Sequence, residues 1–143
     1  MSKVILCAID VSRADSEAKV LREAAKLAQA DGAQLDVVTV IPDFGMSMVG
    51  GYFSADHMKK ACEQARTLLT LAVGTVLGEE VNTKVRHIVC VGTTYHEVLE
   101  VARKEGADLI VLGAHRPDIR DYLLGPNAAR VVRHAEVSVY VVR

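Results

Sequence analysis

Short apolar segments alternate with longer amphipathic segments along the chain. Residues 4–9, 35–41, 83–91, 109–112 and 137–142 have the length and apolar character of strands. Between them, apolar side chains recur at three- and four-residue spacing, which predicts helices over about 14–28, 58–76, 94–102 and 126–134. The glycine-rich segment 43–54 fits neither pattern and is predicted to be a loop.

Several residues predict where the helices begin and end. Gly32 and Gly106 each follow a helical segment and suit the left-handed C-cap position. Thr94 and Glu97 have the spacing of a capping box at the start of the fourth helical segment. The third strand alternates imperfectly between apolar and polar residues, which is typical of an edge strand.

Strands that alternate with helices predict an α/β fold, with helices on both faces of a parallel sheet. The length suits one domain over residues 1–143, a single doubly wound five-stranded sheet in the order 3-2-1-4-5. In this order the direction of winding reverses between strands 1 and 4, and ligands bind beyond the carboxyl ends of such strands. Asp10 and Gly113 follow those two strands, so a site is predicted there before any motif is considered.

The composition indicates which classes of partner and which cellular compartment to expect. Half of the 143 residues are hydrophobic and the formal net charge is −1, which gives no electrostatic reason for nucleic acid or an anionic membrane as a partner. No apolar run approaches the roughly 18 residues that span a bilayer. Cys7, Cys62 and Cys90 form no Cys-x-x-Cys pair, which favours free thiols. A soluble, cytoplasmic protein is expected.

Two glycines mark the segment with the clearest candidate chemistry. Gly113 has no Cβ to obstruct a ligand at the end of the fourth strand, so Gly113→Val is expected to abolish binding and leave the fold intact. Gly125 precedes the last helix, whose free N–H groups and dipole favour an anion. Asp10 would accept hydrogen bonds from a base or ribose, and Arg116 and Arg120 would neutralise phosphate. Ordinary turn glycines remain the alternative, and the spacing matches neither a P-loop nor a Gly-x-Gly-x-x-Gly motif.

Three segments in order resemble the universal stress protein family: VILCAIDVS, ADLIVLG and VLGAHRPDIRDYLLGPNAARVVRHAEVSVYVVR. ATP-binding members of that family carry Gly-x-x-Gly, nine residues, then Gly-Ser or Gly-Thr. Gly113 and Gly125 match the first and last glycines, but Arg116 replaces the middle glycine, the spacer is one residue shorter and Pro126 replaces Ser or Thr. The shortened loop is similar to that of a subgroup of small bacterial stress proteins, some of which hold ATP.

The resemblance implies ATP or a related adenine nucleotide as the cofactor, in a regulatory or stress-resistance role. It places the base near Ala8, Asp10 and Val40 and the ribose near Gly113, with Ser12 either a neighbour of the ligand or a cap of the first helix. The predicted nucleotide-binding residues are Ala8, Asp10, Val40, Gly113, His115, Arg116, Gly125, Pro126, Asn127 and Ala128.

The sequence predicts no catalytic residues and no metal site formed by protein groups alone. Mg²⁺ is allowed only with the nucleotide, held by its phosphates and Asp10, and any ATP hydrolysis or autophosphorylation is expected to be slow. The apolar last strand predicts a homodimer or tetramer. Two other functions stay open: an interaction module with a vestigial pocket, favoured by Arg116 and Pro126, and a flavodoxin-like or electron-transfer-flavoprotein-like enzyme.

Overall fold

The computed structural model describes residues 3–42, 55–114 and 125–143. The strands of the described residues are β1 (Val4–Ala8), β2 (Gln34–Pro42), β3 (Arg86–Gly92), β4 (Leu109–Gly113) and β5 (Ser138–Val142). The helices are α1 (Ala14–Asp31), α2 (Ala55–Leu77), α3 (Glu79–Asn82), α4 (Thr94–Glu105) and α5 (Pro126–His134). A 3₁₀ turn, Val11–Arg13, joins β1 to α1.

The strands form one parallel sheet in the order β3-β2-β1-β4-β5, which confirms the predicted fold class and order. β1 is central and β3 is an edge strand, as the sequence predicts. The chain winds from β1 towards β3 on one side and towards β5 on the other. The reversal therefore lies between β1 and β4, because the chain continues from β1 towards one side of the sheet and from β4 towards the other.

Helices cover both faces of the sheet, and each face has its own apolar core. α1 and α2 pack on one face, where Leu21 and Leu69 are fully buried beside Cys7. α4 and α5 pack on the other face, where Val98 and Val131 are buried. Burial of each large apolar side chain contributes about 1.5–3 kcal/mol, so the two cores hold the strand ends in fixed positions.

The element boundaries differ from expectation in two places. β3 begins at Arg86 rather than at residue 83, because 79–82 form the short helix α3 and the next residues close its turn. Asn82 anchors that helix: its Nδ2 donates to Thr70 O at 3.1 Å, and its Oδ1 lies 2.6 Å from His87 Nε2. The predicted capping box is wrong, because Thr93 is the N-cap of α4 and makes no side-chain cap hydrogen bond.

The left-handed C-caps are confirmed, with φ of 61° at Gly32 and 68° at Gly106. All three cysteines are free, as expected, and burial raises the pKa of the Cys7 thiol, which keeps it protonated. None of the described helices is both long enough and apolar enough to cross a membrane.

An ion pair between a buried aspartate and a half-exposed arginine lies at the opposite end of the sheet from the β1–β4 reversal. Asp36, near the start of β2, is 0% exposed, and its Oδ1 accepts a hydrogen bond from Arg86 Nε at 2.8 Å. Arg86 Nη1 also lies 3.2 Å from Glu105 Oε2 at the end of α4. Asp36 Oδ2 has no hydrogen-bond partner within the described residues. Burial raises the pKa of the Asp36 carboxyl, and the bond from Arg86 opposes the rise.

Candidate functional site

A cleft of about 730 Å³ opens at the carboxyl ends of β1, β2 and β4, where the sheet order reverses. Eight of the residues predicted from sequence line it: Ala8, Asp10, Val40, Gly113, Gly125, Pro126, Asn127 and Ala128. His115 and Arg116, and also Arg120, lie outside the described residues. The fold therefore brings the two halves of the predicted site, from distant parts of the chain, to one volume.

Asp10 is held in place by the turn that follows β1. Its Oδ1 accepts hydrogen bonds from the backbone N–H of Ser12 at 2.9 Å and from Ser12 Oγ at 2.6 Å. Ser12 therefore fixes Asp10 and does not cap α1, whose N-cap is Arg13, and it also lines the cleft. Asp10 is exposed, and its Oδ2 has no hydrogen-bond partner within the described residues. This oxygen is available to a ligand.

Glu17 is a site residue that the sequence analysis missed. It lines the cleft from the first turns of α1, and its Oε1 accepts a hydrogen bond from the Asp10 N–H at 3.1 Å. Burial raises the pKa of the Glu17 carboxyl, and the bond from the Asp10 N–H opposes the rise. In the sequence Glu17 is one of two acidic residues in the first turn of α1, and no spacing distinguishes it from the exposed Asp15.

Gly113 lines the cleft, and a side chain at this position would point at α1. A Cβ there would lie 3.2 Å from Val20 Cγ2 and 3.4 Å from Glu17 Oε2, both on α1. The glycine therefore allows α1 to pack closely against β4. That Gly113→Val would leave the fold intact stays a prediction, but the variant is expected to cost stability, because its added methyl groups would push on α1.

The end of β2 presents a free backbone edge to the cleft. Gln34 N donates to Lys3 O at 2.8 Å and Ile9 N donates to Val38 O at 3.0 Å, so the even-numbered residues of β2 direct their backbone groups at β1. β1 ends at Ala8, which is paired with Val38, whereas β2 continues to Pro42. Val40 comes next in the alternation. No hydrogen bond from the described residues reaches its N–H or C=O on this side.

The first turn of α5 forms the opposite wall of the cleft. Gly125 is its N-cap and Pro126 occupies the first turn, which has no side-chain cap hydrogen bond. The Gly125 N–H already donates to Ala114 O at 2.9 Å, and Pro126 has no N–H. The Ala129 N–H donates to Gly125 O within the helix. The backbone donors left for an anion are therefore those of Asn127 and Ala128.

Apolar side chains line much of the remaining wall, and the sequence analysis did not assign them to the site. Val98 on α4, Leu112 on β4 and Val131 on α5 are buried and line the cleft, as does Thr94 in the first turn of α4. An apolar wall of this kind suits the face of a planar ring. The spacing of these apolar residues in the sequence predicted that they would be buried. It did not predict that they would line the cleft at the carboxyl ends of the strands.

The charge of the cleft is carried by few groups. Among its described lining residues, Arg13 is the one cation, while Asp10 and Glu17 are acidic. Within residues 3–42, 55–114 and 125–143, no group of three or more His, Cys, Asp or Glu side chains is placed to hold a metal ion. Within the described part of the cleft, the charged group that suits an anion is therefore Arg13.

The whole chain, residues 1–143, matches the Universal stress protein family. It is similar to Universal stress protein G of Shigella flexneri, with 34% identity over 149 residues that span 100% of both chains. It is also similar to Universal stress protein A homolog 1 of Coxiella burnetii, with 36% identity over 144 residues, 98% of this chain and 95% of that protein.

Solved structures share the fold. Protein MJ0577 of Methanocaldococcus jannaschii matches with a TM-score of 0.76 at 24% identity, covering 99% of this chain and 96% of that one. The universal stress protein of Archaeoglobus fulgidus in complex with dAMP matches with a TM-score of 0.67 at 19% identity over 100% and 98% of the two chains. A universal stress protein in complex with cAMP has a TM-score of 0.65 at 20% identity over 99% and 97%.

Proposed function

Because this chain belongs to the universal stress protein family, we propose that its cleft binds an adenine nucleotide, with ATP as the first candidate, in a regulatory or stress-resistance role. The observation that carries the proposal is that one cleft has two chemically different walls, one at the end of β2 and one at the first turn of α5. The free backbone edge of Val40 suits a base, and the N–H groups of Asn127 and Ala128 suit a phosphate.

At the base end, the N–H and C=O of Val40 have no partner among the described residues on the β1 side, and they present a donor and an acceptor side by side. Adenine has the complementary pair on one edge, an acceptor ring nitrogen beside a donor amino group. Guanine reverses this order on the corresponding edge, so Val40 would favour adenine. The apolar side chains of Val98, Leu112 and Val131 would cover a face of the ring.

At the phosphate end, the N–H groups of Asn127 and Ala128 and the dipole of α5 would bind the anion. Ribose hydroxyls would lie between the two ends, near Asp10 Oδ2 and the backbone of Gly113. Mg²⁺ would enter only with the nucleotide, held by phosphate oxygens and Asp10. Two family structures, one with dAMP and one with cAMP, support the adenine class of ligand.

A second candidate function has one observation in its favour. Pro126 removes one donor from the first turn of α5 and Gly125 uses another, so the anion site has fewer donors than a free helix N-terminus. A universal stress protein whose pocket is vestigial, and which acts by contact with other proteins, is consistent with this loss. Family membership disfavours the flavodoxin-like or electron-transfer-flavoprotein-like alternative.

Analysis of the small molecules released by denaturing the purified protein, followed by calorimetric titration, tests the proposal. We expect released adenine nucleotide, or saturable binding of ATP in the presence of Mg²⁺ and much weaker binding of GTP. No released nucleotide and no measurable ATP heat, with or without Mg²⁺, would support the vestigial pocket instead.

We also propose a homodimer or tetramer that assembles through β5. Its outer edge is not paired with any described strand, and Tyr140 on it is 39% exposed. Tyr140→Lys would place a charge on this edge strand and is expected to shift the protein from a dimer or tetramer towards a smaller species in light scattering after size-exclusion chromatography. A monomer in the wild type contradicts the proposal.

A further inference from the structure

Thr39 is a buried polar residue in β2, one position before Val40. It is 3% exposed and lines the cleft. Leu35 and Val37, on the same face of β2, belong to the apolar core beneath α1 and α2. By strand alternation Thr39 continues that row at its cleft end. Leu35 and Val37 are aliphatic, whereas Thr39 carries a hydroxyl at the corresponding position.

The Thr39 hydroxyl has no hydrogen-bond partner within the described residues. Among these residues, Asp36 Oδ2 is the fully enclosed side-chain oxygen that lacks a partner. The Thr39 hydroxyl is therefore not sealed in the core but opens on the cleft. A ligand that fills the cleft would displace water from this hydroxyl, so a ligand group that hydrogen-bonds to it would avoid the cost of leaving it unpaired.

We propose that Thr39 positions the ligand by a hydrogen bond between its hydroxyl and the base held at Val40. The hydroxyl can both donate and accept, so it can pair with a ring nitrogen or with an exocyclic amino group. Its bond lies at the base end of the cleft, far along the ligand from the phosphates at α5. This inference rests on the proposed nucleotide site. It adds a side-chain hydrogen bond to a base that would otherwise bind only the backbone N–H and C=O of Val40.

Two variants separate this role from ordinary strand packing. Thr39→Val keeps the branched shape and removes the hydroxyl, whereas Thr39→Ser keeps the hydroxyl and removes the methyl group. The affinities of each variant for ATP and for AMP are measured by calorimetry, and the melting temperature is measured without ligand. A packing role alone would move the melting temperature and leave the affinity of the folded protein unchanged.

Thr39→Val is expected to bind ATP and AMP about 3- to 10-fold more weakly, by the same factor for both, because the lost bond is at the base. Its ligand-free melting temperature is expected not to fall, because the hydroxyl makes no hydrogen bond to the described residues that the substitution would break. Thr39→Ser is expected to keep wild-type affinity within about twofold and to melt at a lower temperature, since it loses buried apolar surface.

The possible failures are distinguishable. If the wild type binds adenine nucleotides and Thr39→Val binds them equally well, the role of Thr39 is overturned and the proposed function stands. If Thr39→Val and Thr39→Ser are weakened alike, the side chain acts by shape and the hydrogen bond is overturned. If the wild type binds no adenine nucleotide, both proposals fall together.

Discussion

Replacing Pro126 tests how the phosphate end of the ligand is held, and the expected effect is a gain. Pro126 is exposed and lies in the first turn of α5, where it contributes neither an N–H nor a side-chain donor. Pro126→Ala restores the N–H, and Pro126→Ser restores the N–H and adds a hydroxyl. The two variants therefore raise the number of donors facing the anion in two steps, on the same backbone.

The magnitude follows from the number of bonds added. A hydrogen bond to a charged group contributes about 1.5–3 kcal/mol, and the exposure of Pro126 places each new bond near the lower value. One bond of about 1.5 kcal/mol corresponds to about tenfold in Kd. We therefore expect ATP to bind about 10-fold more tightly to Pro126→Ala and about 100-fold more tightly to Pro126→Ser than to the wild type.

Calorimetric titration of the three proteins with ATP and with adenosine is the assay. Adenosine has no phosphate, so its affinity is expected to be unchanged across the series. Loss of proline costs about 0.4–1 kcal/mol of folding stability through the unfolded chain, which thermal unfolding measures separately. Equal ATP affinities in all three proteins would refute the assignment of the phosphate to α5.

Two further predictions concern stability. The folded chain keeps a proton on Asp36 at pH values where the unfolded chain, with an ordinary aspartate pKa of 3.8, has released it. Stability is therefore expected to fall as the pH rises above 3.8 and to level off above the pKa of the folded state; Asp36→Asn should flatten this slope in urea unfolding at a series of pH values, and an unaltered slope would contradict the role of Asp36. Gly113→Val is expected to lower the free energy of unfolding by about 1–3 kcal/mol through contact with Val20 and Glu17, and an unchanged melting temperature would show that α1 does not pack as closely as the structure indicates.

The order of elements could be predicted because it depends on local patterns. A central parallel strand is buried on both faces and appears as a continuous apolar run, and Pro126 at the start of α5 matched the observed first turn. The start of β3 was misplaced because residues 83–85 are used to close α3: Lys84 N donates to Val81 O and Val85 N donates to Asn82 O. Residues 83–85 have the apolar and polar pattern of a strand but form a turn. The turn depends on the packing of Asn82, which the sequence pattern does not show.

The position of the candidate cleft could be predicted from sequence, but the contacts of the residues that line it could not. The position of Asp10 beyond β1 follows from topology alone. The closeness of Gly113 to α1 depends on the face of β4 that meets that helix, and the importance of Glu17 depends on the Asp10 N–H. Thr39 appears as an ordinary strand residue until the absence of a partner within the described residues is known. These contacts depend on the tertiary structure, and no residue spacing in the sequence indicates them.

A titration of isotopically labelled protein with ATP, followed through the backbone amides by NMR, tests the central claim most directly. Binding in the cleft predicts the largest shifts at the N–H groups of Val40, Asn127 and Ala128, which would gain hydrogen bonds from the base and the phosphate. The chemical shifts of the Asp36 and Arg86 amides, at the opposite end of the sheet, are expected to stay unchanged. Saturable shifts that spare Val40 and the first turn of α5, or no shifts at all, would contradict the account.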